Sequence, residues 1–182
     1  SFTEIIRRHE VLRTVFYERD GEPYSVILPN NAISIPLIDL RNVPEDDKER
    51  CVRNLVTKEA EGICDLEEGP IYRLMLLKVS DLENVLVTVT HHIVFDGWSN
   101  GVLFREFAVL YEDFCQGHES RLSEPERQYI DYIHREQKFM RGDRFAQQLQ
   151  YWRNKLQDAN VLELPADRHR PLNQKYQGQR YS

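Results

Sequence analysis

Apolar and polar positions alternate along this chain in two rhythms. Phe2, Ile5, Ile6, His9 and Leu12 share one helical face, with Thr3 suited to cap it. Arg13-Thr14-Val15-Phe16-Tyr17 then reads as a strand, Asp20-Gly21 as a turn, and Tyr24 to Leu28 as a second strand. The three together predict a hairpin. Ile33, Ile35, Leu37 and Leu40 mark a short extended segment. Pro44 opens a helix whose first turn carries Glu45, Asp46 and Asp47, acids that suit the positive end of a helix. Its expected apolar stripe is Val52, Leu55, Val56, Ala60 and Ile63, and Asp65-Leu66-Glu67-Glu68-Gly69-Pro70 breaks it. Ile71 to Val79 reads as a strand, and Ser80 to Asn84 returns the chain into another.

That next strand begins the stretch around which the chain is organised. Val85-Leu86-Val87-Thr88-Val89-Thr90 is a β-branched run. Two histidines follow where it should end. Asp96-Gly97 supplies turn chemistry, Ser99 is a good N-cap type, and Leu103, Phe107, Leu110 and Phe114 recur at helical spacing. The stretch therefore reads strand, polar loop, helix, the junction at which α/β proteins place ligands and catalytic groups. Residues 116–124 are polar, Pro125 to Met140 reads as a long helix, and Gly142-Asp143 breaks it. Phe145, Leu149, Trp152 and Leu156 predict one more amphipathic helix. This order predicts an α/β chain of the mixed α+β kind, a mixed sheet flanked by helices.

Composition narrows the classes. The 182 residues suffice for one domain with a real core, and 41% of them are hydrophobic. A net charge of −6 gives no concentrated basic face for nucleic acid. No apolar run is long enough to span a bilayer, and no secretory signal opens the chain. Cys51, Cys64 and Cys115 are odd in number and far apart, which predicts free thiols in a cytoplasmic setting rather than a zinc site. Ser1 already lies inside a periodic segment, as expected of a piece of a larger polypeptide.

His91-His92-Ile93-Val94-Phe95-Asp96-Gly97-Trp98-Ser99 resembles the HHxxxDG signature of condensation domains in nonribosomal peptide synthetases. The wider superfamily includes chloramphenicol acetyltransferase. Arg8 to Phe16 resembles the family's RHExLRTxF motif, and Asp65-Leu66 with Gly69-Pro70 and Arg73 resembles FDLxxGPLxR, with Cys64 in place of the Phe. Tyr129-Ile130-Asp131-Tyr132 is similar to its YxDY motif, although the continuation departs from the usual pattern. Leu164-Pro165-Ala166-Asp167-Arg168-His169-Arg170-Pro171 is similar to LPxDxxRP. The resemblance runs in the family's order from Arg8 to about Gly178, so that residues 1–182 read as only the N-terminal lobe of such a domain. The first motif and the C-terminal lobe are lacking, and residues 165–182 read as a connector or the start of the next element.

The resemblance implies an amide-bond-forming enzyme of chloramphenicol acetyltransferase-like fold. It acts between upstream and downstream peptidyl carrier domains beside an adenylation domain. It binds no cofactor directly, and phosphopantetheine rides on the carriers. His92 is implied as the catalytic histidine, a residue type that titrates near neutral pH, either as general base or by positioning the amine. His91, one residue earlier on a strand, should point to the opposite face and support it. That opposition also argues against a metal held by His91, His92 and Asp96. Asp96 could orient His92 as a triad carboxylate does. The favoured expectation is a buried ion pair with an arginine, either Arg13 or one in the absent lobe. Gly97 is expected to take positive φ or to admit close approach of substrate, with its amide near a substrate oxygen. Trp98 is expected in the core or on a tunnel wall, and Ser99 as a cap rather than a nucleophile, with both as candidates to line a substrate tunnel. Within the RHExLRTxF match, Arg8 is expected on the surface, and Arg13 either there or in a buried structural role. An epimerisation domain and a non-catalytic recruitment module are the rival readings. The intact histidines favour catalysis, and a heterocyclisation domain would replace them.

Overall fold

The computed structural model describes residues 1–30, 33–160, 162 and 165. The segment 164–171 and the connector 165–182 therefore lie, apart from Pro165, outside the described residues. The chain divides into two compact units, 1–134 and 135–182.

Within the first unit, helix α1 (Phe2–Arg8) has Ser1 rather than Thr3 at its N-cap position, with no capping bond from the side chain. It stops earlier than the apolar spacing predicts. His9 is extended, and a short 3-10 turn, Glu10–Arg13, carries Leu12 instead. β1 (Thr14–Arg19) and β2 (Glu22–Ile27) form the expected antiparallel hairpin. Asp20 and Gly21 both take positive φ (55° and 81°), as a two-residue turn between right-twisted strands requires. α2 (Glu45–Ala60) starts directly after Pro44. Val52, Leu55 and Val56 pack against the sheet, whereas Ala60 is exposed and Ile63, past the helix end, is 94% exposed. The predicted stripe thus runs one turn too far.

The mixed sheet has the order β3-β4-β5, from β3 (Leu37–Asp39), β4 (Tyr72–Lys78) and β5 (Asn84–Thr90). β3 and β4 are parallel, β4 and β5 antiparallel. Alternation sends the side chains to opposite faces. Tyr72, Leu74 and Leu86 join Phe2, Ile5, Ile6, Leu103 and Leu110 in one core. Met75, Leu77 and Val87 join Leu40 and the α2 face in the other. Helix α3 (Gly97–Cys115) therefore lies with α1 on one side of the sheet and α2 lies on the other. Phe2 contacts Phe107 of α3 at a 4.7 Å ring separation. Phe114, expected in this stripe, is 41% exposed.

α4 (Tyr129–Met140) begins later than the sequence predicts, after Gln128. In the second unit, α5 (Asp143–Leu156) follows Gly142. Phe139 and Phe145 meet edge to face at 5.9 Å across that break.

Candidate functional site

The last bond of the β4–β5 ladder runs from the His91 N–H to the Ile71 carbonyl at 3.0 Å. The chain then leaves the sheet. Thr90 is the last residue of β5, His91 follows it with that single bond, and residues 92–94 form a turn closed by the Val94 N–H on the His91 carbonyl at 3.2 Å. The two histidines thus both lie past the end of the strand, beyond its alternation. His91 turns back on its own loop, where its Nδ1 accepts the Ile93 N–H at 3.1 Å. That bond occupies the Nδ1 lone pair and fixes the ring locally. His92 is exposed. Val94 is buried and Phe95 packs against the α1–α3 core, so two apolar anchors hold the loop between them.

Asp96 is the N-cap of α3. Its Oδ1 accepts the Ser99 N–H at 2.9 Å and the Ser99 hydroxyl at 2.7 Å, and the Ser99 hydroxyl accepts the Asp96 N–H at 3.3 Å. The pair is a capping box with the acid in the cap position. Ser99 is therefore the third residue inside the helix, not the cap. The Ser99 hydroxyl and N–H, then the Trp98 N–H and the charge of His92, hold the Asp96 carboxyl below its ordinary value.

Arg13 is not the partner of Asp96. Its guanidinium donates to the Leu28 carbonyl and to Glu10 Oε1, tying the 3-10 turn to the end of the hairpin. Its side chain is 19% exposed, so the residue is partly buried and tied into the local backbone. Gly97 does not take positive φ, and nothing lies within 4 Å of where a Cβ would stand. The conformational reason for glycine is thereby removed, and open space at the helix N-terminus remains. Trp98 is 85% exposed and so is no part of the core. Its indole walls a groove of about 280 Å³ with Ile5, Leu12, Val94 and Val102.

Other polar side chains tie α1, α3 and the segment before α4 together. Arg8, expected on the surface, is buried and donates to Glu106 Oε2 (3.3 Å) and to the Leu122 and Ser123 carbonyls. Gln128 donates to the Arg8 carbonyl at 2.8 Å and accepts the Glu10 N–H at 3.2 Å, so one amide clamps the corner after α1. The buried Asp113 accepts the Arg121 N–H at 3.0 Å. A signal for the two acids was present: Leu103, Glu106, Leu110 and Asp113 recur at one helical period. Among the described residues, no three His, Cys, Asp or Glu side chains gather as a metal site would need. No described helix is long and apolar enough to cross a membrane.

Fold and motif loop together define a class, and comparison with known proteins gives it a family. The family described as "Condensation domain" matches residues 1–182. The chain belongs to the condensation domain family. It is 42% identical over 181 residues to malpinin synthetase of Mortierella alpina, covering 99% of this chain and 2% of that one. Chondramide synthase cmdD of Chondromyces crocatus is 40% identical over 178 residues, 98% of this chain and 5% of the synthase. Among solved structures, the X-domain from teicoplanin biosynthesis superposes with a TM-score of 0.82 at 27% identity, over 93% of this chain and 37% of that one. The epimerization domain of the third module of tyrocidine synthetase B gives 0.78 at 26%, over 91% and 37%. The chain thus spans a small part of the synthetases and little over a third of the solved domains.

Proposed function

We propose that this chain supplies the histidine-bearing N-terminal lobe of a peptide-synthetase condensation domain. The domain joins an acyl or peptidyl thioester on an upstream carrier to the amine of an aminoacyl thioester on a downstream carrier. The observation that carries the reading is His92 itself, an exposed imidazole between the end of β5 and the Asp96-capped N-terminus of α3, inside the full motif. His92 holds the amine and takes its proton as the C–N bond forms. The thioester C–S bond breaks, and the departing sulfur recovers the proton from the imidazolium. The phosphopantetheine arms arrive as part of the substrates, and an adenylation domain loads the downstream one. Three free cysteines fit a reducing, cytoplasmic setting. Asp96 acts through the loop that it anchors, with the second lobe providing the other wall of the reaction chamber.

The test is His92→Ala in the intact two-lobed domain, with both carriers loaded. Amide formation is expected to fall by about 100-fold or more, the range of one proton-transferring side chain, with an unchanged unfolding midpoint. Turnover at the parent rate overturns the reading. Running the assay in D2O with a single loaded carrier separates the epimerisation alternative, which would wash deuterium into the α-carbon and make no amide.

A further inference from the structure

Glu106 sits on the inward stripe of α3, nearly three turns after the Asp96 cap, and its carboxylate reaches a different element. Its Oε2 accepts His9 Nε2–H at 2.8 Å and Arg8 Nε–H at 3.3 Å. The side chains of Arg8, Glu106 and His9 are 3%, 14% and 26% exposed. Burial pushes the Glu106 carboxyl up, and the hydrogen bonds and charges of His9 and Arg8 more than offset it, so the group stays ionised. The cluster lies at the corner where the chain leaves α1, which Gln128 clamps from the far side. His9 has a second neighbourhood. It lines the same groove as Val94, Phe95 and Trp98, which belong to the loop and first turn that follow His92.

We propose that Glu106 is a positioning residue for His92. Through Arg8 and His9 it sets the spacing between the α1 corner and α3, and so sets where loop 91–96 holds the imidazole. A buried ion cluster is a poor stabiliser, because desolvation offsets most of its attraction. What it supplies is direction, since charge-assisted bonds fix donor and acceptor geometry where apolar packing tolerates slippage. Val94 and Phe95 transmit that spacing, since they and His9 line one groove. The inference rests on the reading of His92 as the reacting side chain.

The experiment compares Glu106→Gln, His9→Ala and His92→Ala in the intact domain with both carriers loaded. Glu106→Gln removes the charge and keeps the shape, and His9→Ala leaves the Arg8–Glu106 pair in place. Each of these two is expected to lower kcat about tenfold or more while folded, because a displacement of order 1 Å at a reacting group costs that much. KM for either loaded carrier is expected to change less than about twofold, since carrier binding is not what the cluster controls. The double variant should be no slower than the slower single one. Normal kcat in folded Glu106→Gln and His9→Ala overturns the inference. So does a loss that merely follows the unfolded fraction and disappears on cooling. If His92→Ala is inactive while those two are normal, this inference alone falls. If His92→Ala turns over normally, the functional reading falls and takes this one with it.

Discussion

Asp96 is a motif residue whose side chain is engaged within its own helix. Its carboxylate is spent on the first turn of α3. Asp96→Ala is accordingly expected to lower the unfolding midpoint of the intact domain, and Asp96→Asn to lower it much less, because asparagine caps nearly as well. Equal losses would show that charge rather than capping matters. The sign of the pH dependence follows from the lowered carboxyl. The stabilisation is complete above the ordinary aspartate pKa near about 4 and is lost as pH falls through the lower folded-state value. The parent should therefore lose stability on acidification below about pH 4 more steeply than Asp96→Asn, as melting curves across that range would record. Tyr72 presents the reverse case. It is 5% exposed, and among the described residues its hydroxyl has no hydrogen-bond partner. Desolvation raises its pKa well above the ordinary tyrosine value. An unpaired buried hydroxyl costs about 1–3 kcal/mol, so Tyr72→Phe should leave stability unchanged or raise it. A clear drop in the denaturant midpoint would reveal a partner for the hydroxyl.

At the scale of elements, helix ends and arginines account for most of what the sequence left unread. Arg73, matched to the last position of a motif, turns out to finish α2. Its guanidinium donates to Glu59 Oε1 (2.7 Å) and to the carbonyls of Glu59, Gly62 and Ile63. It thereby meets one of the carbonyls that the end of α2 leaves open, that of Glu59, and two in the loop just beyond it. Arg73→Ala should cost about 2 kcal/mol, the scale of hydrogen bonds to a charged group, and Arg73→Lys should recover part of it. Chemical denaturation with a constant m-value is the check. The hairpin, α2, the β4 and β5 strands and α3 were legible because period and turn chemistry are local. His92 and the loop that bears it were legible because the motif is contiguous. The inward place of the acid at position 106 was legible from the helical period, but its partners, the burial of Arg8 and the role of Gln128 were not, because each depends on a contact about a hundred residues away in sequence. The pairing of Asp96 with Arg13 failed for a related reason. Opposite charge nominates candidates, but the backbone decides which are near, and Ser99 was three residues away.

The whole molecule carries more apolar surface than its own core uses. In the first unit, Leu37 is 61% exposed, Tyr111 58% and Phe104 55%, besides Trp98 in the motif. A second groove of about 500 Å³ between the sheet and the α1 and α3 helices is walled by Phe2, Ile35, Leu76, Leu86, Phe107 and Tyr111. In the second unit, Trp152, Leu156 and Tyr151 are each more than half exposed on one helix. Monomers that live in water rarely leave contiguous apolar patches beyond a few hundred Å². The solved condensation-family domains that this chain resembles are longer, with the chain covering 37% of each. Both facts bear on what residues 1–182 do when expressed alone. Their surface favours association through these faces, and under the proposed function the exposed His92 would meet two thioesters on one wall only. The loss of that positioning removes the largest contribution to a reaction between already activated groups. The isolated segment is therefore expected to run as oligomers or aggregates in light scattering. Supplied with both loaded carriers, it should form no amide above the uncatalysed rate. A monodisperse monomer that turns over would show that the walls on these residues suffice, and that the exposed aromatic side chains serve some other contact.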